Sequence, residues 1–510
     1  MLLHLLLLGA VIGIVLPFYG YGMLSNFLRF ACHLYFRHIS VHGINNLPRE
    51  GPVVVCPNHP NMMIDVLLVL TQCTHMGRNP YAWAKASLFK HPIGGKILRA
   101  LGAVPVYRPP GKHANQDTDS EMAPEEIAKA TRYMFEETWK VLHQGNLVVL
   151  FPEGTSYTLP HMLELRTGVM RVATGFVKTY ETPITVVPLG LTYFNKDRFR
   201  SEVCLEFGEP IVIDQATIQT EGFRTDERSE VKKLTEHLQE RMHRVTLNAN
   251  DFESFRVARA IRRLYCTAAL SPKDDVHLTQ QLVHLVEGKL TTKETESVVL
   301  TQLKADVSKY KKKLDDWRLK DQDLALDVKE TPVATLAFER LAFLLVLLPV
   351  ATPGLLLNLP FYLLGRKLNT IAGYTESRSM FKLAAGIILV PAQWVFLIST
   401  AAYLYGSTAA YVLMIALPFF LYSHIRVLEE SRTIMQNVWF LLNLATRKEH
   451  VDALRKERST LVPVVQDLVN TLVKDPVMER VKKAAEGARS PRLPTGLAFA
   501  KRQDSRTDFM

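Results

Sequence analysis

Short apolar runs, long apolar runs and amphipathic stretches follow one another along the chain. In the first half, β-branched apolar runs precede or contain four blocks rich in polar residues, proline or glycine, at 52–65, 102–108, 151–156 and 186–190. Such runs are typical of strands buried on both faces of a sheet. Because open α/β sheets bind ligands beyond the carboxyl ends of their strands, these blocks predict one shared crevice.

An apolar pattern near the first residue predicts a membrane anchor over residues 1–28. It consists of Leu2 to Leu16 and Phe18 to Leu28, and no Asp, Glu, Lys or Arg precedes Arg29. A cleaved signal peptide has a basic start and a small-residue cleavage site. Neither is clear here, so we expect an uncleaved anchor.

A second apolar segment, Leu341 to Leu364, is long enough to cross a bilayer, since about 20 apolar residues span the hydrocarbon core. It contains prolines at positions 349, 353 and 360. Two topologies therefore remain open for it, a single crossing and a re-entrant segment that turns back at the prolines.

A third segment, Leu383 to Tyr422, is about twice the length needed to span. Gly406 and Ser407 lie near its middle and predict a helical hairpin. Because it contains no Asp, Glu, Lys or Arg, a transport pathway is not indicated. The loop before it is basic, with Arg366, Lys367, Arg378 and Lys382 against Glu376. By the positive-inside rule we expect this loop to face the cytoplasm.

Charged residues with apolar residues at three- and four-residue spacing predict amphipathic helices over 225–335 and 426–486. Residues 487–510, rich in charge, proline and serine, are typical of a disordered tail. The formal net charge is +11 over 510 residues. No nucleic-acid-binding motif accompanies it, so anionic lipids and phosphorylated substrates are the expected partners. The five cysteines lack paired spacing, and no metal site is predicted.

His59 and Asp65 are the candidate catalytic pair. A carboxylate that holds an imidazole fixes its tautomer and stabilises the imidazolium, which lets the histidine remove a proton from an alcohol. Five residues separate the two, so they do not share a helix face, and a loop-to-helix turn must bring them together. Asn58 and Asn61 are alternative polar groups that could orient the imidazole.

These blocks together resemble the glycerophospholipid acyltransferase family. Segments 151–157, 163–169, 244–247 and 260–265, and the five-residue spacing of the pair, are similar to its fungal-type glycerol-3-phosphate and dihydroxyacetone-phosphate acyltransferases. The resemblance implies an α/β catalytic domain over 29–224, with a buried mixed sheet flanked by helices. It also implies acyl-coenzyme A as co-substrate without another cofactor, and a phosphorylated glycerol acceptor.

The resemblance further implies roles for individual residues. Arg108 would hold the acceptor phosphate through its planar guanidinium. The other implied substrate-binding residues are Glu153, Gly154 and Thr155 of the acceptor loop, together with Arg166 and Lys85. Pro152 and Pro188 are expected to be structural, with Pro188 shaping a strand end.

The expected activity is acylation of the sn-1 hydroxyl of glycerol 3-phosphate or dihydroxyacetone phosphate, with His59 as general base. The family implies the endoplasmic reticulum membrane, with the catalytic domain facing the cytosol. Acylation of lysophosphatidate is the closest alternative. A serine hydrolase that uses Ser156 is disfavoured because Thr158 replaces the second glycine of the nucleophile elbow. A non-catalytic lipid-binding protein is a third possibility, and the oligomeric state stays open.

Overall fold

The computed structural model describes residues 20–90, 92–100, 102–106, 124–268, 270–291, 293–325 and 333–487. The run 2–16 of the predicted anchor, Arg108 and residues 488–510 of the predicted tail lie outside this part of the chain. The side chain of Lys85 also lies outside it, although its backbone ends a strand.

An eight-stranded mixed sheet forms the centre of the first half of the chain. Its strands are β1 (His38–His42), β2 (Val53–Pro57), β3 (Pro80–Lys85), β4 (Ala103–Val106), β5 (Leu147–Val149), β6 (Ile184–Tyr193), β7 (Glu202–Phe207) and β8 (Ile211–Ile213). The strand order is β1-β7-β6-β2-β5-β3-β4, and β8 also pairs with β6. β6 is antiparallel to β7 and β8, and the other pairs are parallel. The predicted buried mixed sheet is thus confirmed.

Helices cover both faces of this sheet. They are α1 (Gly20–Tyr35), α2 (Met63–His75), α3 (Pro92–Ala100), α4 (Pro124–His143), α5 (Gly168–Tyr180), α6 (Gln215–Ile218), α7 (Glu221–Thr225) and α8 (Glu227–His243). In β2, Val54 and Cys56 pack with residues of α4 and α5. Val53 and Val55 point to the opposite face and pack with residues of α1 and α2. Because both faces are covered, β2 is an uninterrupted apolar strand.

A second hydrophobic core joins two helical regions that are distant in sequence. Its helices are α9 (Phe252–Tyr265), α10 (Pro272–Val286), α11 (Glu294–Asp316), α12 (Asp321–Leu324), α16 (Lys448–Leu472) and α17 (Val477–Gly487). Helices α9 to α12 of the predicted region 225–335 and helices α16 and α17 of the predicted region 426–486 therefore share one core.

Two predicted domain boundaries divide packed elements. The anchor boundary at 28 falls inside α1, whose later residues, Ala31 and Cys32, are buried in the core of the sheet. The boundary at 224 precedes α8, whose Leu238 and Met242 are buried with α5 on the sheet. The α/β unit therefore extends through α8, because that helix covers apolar surface the sheet would otherwise expose.

Three long apolar helices precede α16: α13 (Val333–Ile371), α14 (Arg378–Tyr405) and α15 (Ser407–Thr446). Two of the described segments, Thr375–Tyr405 and Ser407–Thr446, are long and apolar enough to cross a membrane. They are separated only by Gly406, with φ of 84°. A glycine tolerates this conformation without steric cost, so the hairpin forms at the predicted position.

Candidate active site

The carboxyl ends of three neighbouring strands form the candidate site. β5, β2 and β6 are adjacent and mutually parallel, so the residues that follow them meet at the same edge of the sheet. His59 follows β2, Glu153 follows β5, and Tyr193 ends β6. The predicted crevice is therefore assembled from loops that are up to 134 residues apart in the sequence.

His59 and Asp65 are in direct contact. Asp65 lies in the first turn of α2, and its Oδ2 accepts a hydrogen bond from His59 Nδ1 at 2.9 Å. The Asp65 side chain is fully buried, whereas that of His59 is 17% exposed. The His59 ring also stacks on Phe151, with 4.1 Å between ring centroids. The predicted loop-to-helix turn brings the pair together.

Asp65 is held by two further donors. Its Oδ2 also accepts the backbone N–H of Asn61 at 2.6 Å, and its Oδ1 accepts the hydroxyl of Tyr193. Burial and the neighbouring Asp65 carboxylate raise the pKa of Tyr193 well above its usual value, so the hydroxyl remains a donor. Among the described residues no hydrogen bond reaches His59 Nε2, which leaves this nitrogen for a ligand.

The turn between His59 and Asp65 is strained at Met62, a non-glycine residue with φ of 46°. Its backbone N–H donates to the Ser156 hydroxyl at 3.2 Å. A serine nucleophile would need its hydroxyl on the catalytic imidazole. Ser156 instead supports the catalytic turn, and this contact argues against the hydrolase alternative.

Glu153 joins the loop after β5 to the catalytic turn after β2. Its Oε1 accepts the backbone N–H of His59 at 2.7 Å, and its Oε2 accepts that of Leu163 at 2.9 Å. Burial raises its pKa, and the two backbone donors oppose that rise. Each carboxylate oxygen therefore accepts one backbone N–H, and the first of these contacts helps to position His59.

Gly154 and Arg166 lie against each other. Gly154 has φ of 74°, and a Cβ there would come within 2.8 Å of Arg166 Nε. The positive φ favours glycine at this position, and a Cβ would also displace the Arg166 side chain. Arg166 is exposed, and its backbone N–H donates to the carbonyl of buried Pro152 at 2.9 Å. Thr155 is half-buried.

Asn58 and Asn61 do not contact the imidazole. Asn58 exchanges two hydrogen bonds with the backbone of Leu191 in β6, at 2.7 and 3.1 Å. Asn61 Nδ2 donates to the carbonyl of Lys196 at 3.1 Å. Each asparagine therefore ties the catalytic turn to β6 or to the residues just after it, and Asp65 is the side chain that hydrogen-bonds the imidazole.

Pro188 does not lie at a strand end, as the sequence suggested, but in the middle of β6. It sits where β6 exchanges one antiparallel partner for the other: residues 184–186 pair with β8, and residues 189–193 pair with β7. A proline has no backbone N–H to donate to a neighbouring strand. Between the residues that pair with β8 and those that pair with β7, β6 needs no such donor. Its carbonyl accepts the backbone N–H of Gly208 at 2.8 Å.

A pocket that is partly open to solvent, with a cavity volume of about 120 Å³, extends from His59. Its apolar side includes Leu159, Leu247 and Phe255, and its polar side includes Lys196. Lys196 and Tyr193 are functional candidates that sequence reasoning missed. No recognisable motif contains them, because their place at the site depends on the pairing of β6 with β2.

Two protein-family profiles match the chain. The profile described as Acyltransferase matches residues 38–192, which include the catalytic pair and the crevice. The profile described as Glycerol-3-phosphate acyltransferase 2 C-terminal domain matches residues 257–371. Residues 38–192 are therefore similar to an acyltransferase domain. The predicted resemblance to the glycerophospholipid acyltransferases is thereby confirmed.

Curated proteins similar to this chain include two of Saccharomyces cerevisiae. Glycerol-3-phosphate O-acyltransferase 2 is 31% identical over 282 residues, covering 51% of this chain and 37% of the relative. Glycerol-3-phosphate O-acyltransferase 1 is 24% identical over 439 residues, covering 72% and 57%. An uncharacterised acyltransferase of Schizosaccharomyces pombe is 24% identical, covering 86% and 79%. The chain thus spans well under two thirds of the two Saccharomyces relatives.

Proposed function

We propose that the protein transfers a fatty acyl group from acyl-coenzyme A to the sn-1 hydroxyl of glycerol 3-phosphate or dihydroxyacetone phosphate. The His59–Asp65 contact carries the proposal, because it supplies a base at the mouth of a pocket in an acyltransferase domain. The names of the two Saccharomyces relatives support glycerol 3-phosphate as the acceptor.

In this mechanism His59 Nε2 removes the proton as the acceptor hydroxyl attacks the thioester carbon. Asp65 stabilises the imidazolium, and His59 then returns the proton to the departing thiolate of coenzyme A. No covalent intermediate on the enzyme is needed. General base catalysis supplies roughly 10²–10⁴-fold, so correct placement of both substrates must provide most of the remaining acceleration.

We assign the acceptor phosphate to cationic side chains that the family resemblance implies. Arg108, Arg166 and Lys85 keep their proposed roles from the family resemblance, and so do Gly154 and Thr155 of the acceptor loop. The exposure of Arg166 above Gly154 supports a contact with an anionic group of either substrate.

A direct assay tests this function. The full chain, purified in lipid nanodiscs, is supplied with one acyl-coenzyme A and with glycerol 3-phosphate, dihydroxyacetone phosphate or lysophosphatidate in turn. We expect His59→Ala to lose at least 10²-fold in kcat, by the range for general base catalysis. His143→Ala is the matched control, since that exposed histidine stacks on Tyr180 on another part of the surface. Full turnover by His59→Ala, or a preference for lysophosphatidate, would contradict the proposal.

We propose that the protein is anchored in the endoplasmic reticulum membrane by the α14–α15 hairpin, with the acyltransferase domain in the cytosol. Arg378 lies 28 residues before Gly406, and Gln436 lies 30 residues after it. Both therefore lie at the same end of the hairpin. At that end, Glu376 accepts the hydroxyl of Thr158, and Gln436 donates to Asp323.

These contacts support a re-entrant α13. The helix connects the Asp323 side to the Glu376 side, so it leaves and returns at one end of the hairpin. A straight helix of its 39 residues would be about 58 Å long, far longer than a return to the same end allows. Its three prolines supply the bends. Modification of a glycosylation tag inserted at 366–377 would place that loop in the lumen and contradict this topology.

A further inference from the structure

Lys196 lies at the candidate site without an assigned role. It follows the end of β6 by three residues and lines the same pocket as His59. Among the described residues that line this pocket, it is the only lysine or arginine. Its side chain is nearly buried, with 8% of the residue exposed.

A directed chain of hydrogen bonds holds the Lys196 ammonium. Its Nζ donates to the Thr158 hydroxyl at 2.5 Å and to the carbonyl of Pro60 at 3.3 Å. Thr158 in turn donates to the carboxylate of Glu376. An ammonium has three N–H donors. The described contacts use two of them, which leaves one for a ligand in the pocket.

The backbone of Lys196 is fixed as well. Its carbonyl accepts the side-chain amide of Asn61 at 3.1 Å and the hydroxyl of Ser379, in the first turn of α14, at 2.5 Å. The first contact connects Lys196 to the catalytic turn. The second connects it to the start of α14, the first helix of the hairpin. Its position relative to His59 is therefore set before a substrate arrives.

The charges around the pocket make a cation necessary for an anionic acceptor. Glu153 lines the pocket, Asp65 lies behind His59, and Glu376 lies behind Thr158. Three carboxylates repel a phosphate unless a positive charge stands closer to it. Burial lowers the pKa of Lys196, and the Glu376 and Asp65 carboxylates oppose that shift by favouring its charged form.

We propose that Lys196 binds the phosphate of the acceptor, with Thr158 and Glu376 holding its ammonium against the catalytic turn. The inference rests on the proposed acyl transfer and adds a residue to its acceptor site. It also makes Glu376, which precedes α14, part of that site. The acceptor site then includes a residue from the segment that directly precedes the membrane hairpin.

Acceptor kinetics and phosphate binding test this role in the full chain in nanodiscs. We expect Lys196→Met to raise the KM for glycerol 3-phosphate, and the inhibition constant of inorganic phosphate, by about tenfold or more, as for the loss of one charge-assisted hydrogen bond. The KM for acyl-coenzyme A should change less than twofold. Inorganic phosphate should raise the unfolding temperature of the unmodified chain but not that of Lys196→Met.

Glu376→Gln provides a second variant with the opposite sign. A glutamine oxygen still accepts the Thr158 hydroxyl, so the geometry is kept while a negative charge is removed. We expect both the KM for glycerol 3-phosphate and the inhibition constant of phosphate to fall at low pH, where Lys196 stays charged, and to rise at a lower pH than in the unmodified chain, because Glu376 no longer favours the ammonium. Lys382→Met is the matched control, because Lys382 donates to the carbonyl of Asp197, close to Lys196, without lining the pocket. It should leave both constants unchanged.

An unchanged KM and phosphate inhibition constant in Lys196→Met would overturn the inference. A loss confined to kcat would also overturn it, because the lysine would then only position the turn. If the unmodified chain transferred no acyl group to any acceptor, the proposed function would fail. Phosphate stabilisation that depends on Lys196 would still identify an anion site in that case.

Discussion

The three hydrogen bonds accepted by Asp65 allow its catalytic and structural contributions to be separated. In Asp65→Asn the side-chain oxygen can keep the bonds from His59 and Asn61, and the amide group can donate to Tyr193 if that hydroxyl reverses. The fold should therefore survive. The charge that stabilises the imidazolium is lost, so we expect kcat to fall by roughly 10²–10⁴-fold, the range for general base catalysis.

Asp65→Ala should differ from Asp65→Asn in stability. It leaves the buried Asn61 N–H and Tyr193 hydroxyl without an acceptor, at about 1–3 kcal/mol each, or roughly 2–6 kcal/mol together. Tyr193→Phe removes one of three donors from Asp65 and should cost about 1 kcal/mol, with kcat reduced far less than in Asp65→Asn.

Acyl transfer under saturating substrates and thermal unfolding of the same nanodisc samples measure the two effects. The reasoning predicts a large loss of kcat with a small loss of stability for Asp65→Asn, and a large loss of both for Asp65→Ala. If Asp65→Asn retained kcat within threefold of the unmodified chain, Asp65 would not act through His59.

Two further predictions concern the sheet. Gly190→Ala would place a methyl group 1.8 Å from the carbonyl oxygen of Val245, so we expect a drop in thermal stability or no folded protein. A normal unfolding temperature would show instead that the segment around Val245 can move. Glu206 is buried, which raises its pKa, but hydrogen bonds from His277 and Lys273 outweigh burial and hold the pKa below its usual 4.5. The stabilisation that ionised Glu206 contributes to the fold is therefore present above pH 4.5 and is lost as pH falls through the lowered pKa. On acidification, Glu206→Gln should lose less stability than the unmodified chain. Parallel plots of unfolding temperature against pH for the two proteins would count against this.

Local features of the sequence predicted the parts of the site that lie close together along the chain. The residue types and spacing of His59 and Asp65 identified the pair and required a turn between them, as the structure has it. Gly406 identified the break in the apolar hairpin, because a positive φ between two helices favours glycine. The role of Glu153 was harder to predict, since the acceptors and donors around a carboxylate are known only after folding.

Tertiary structure alone decided which distant side chains complete the site. Tyr193, Lys196 and Glu376 lie 128, 131 and 311 residues after Asp65, and none belongs to a motif that indicates its role. The parallel pairing of β6 with β2 brings the first two to the catalytic turn, and docking of the loop before α14 brings the third. Short-range patterns specify helices, strands and turns through local sterics and apolar spacing. Contacts between distant segments depend on how those elements pack, which no local pattern encodes.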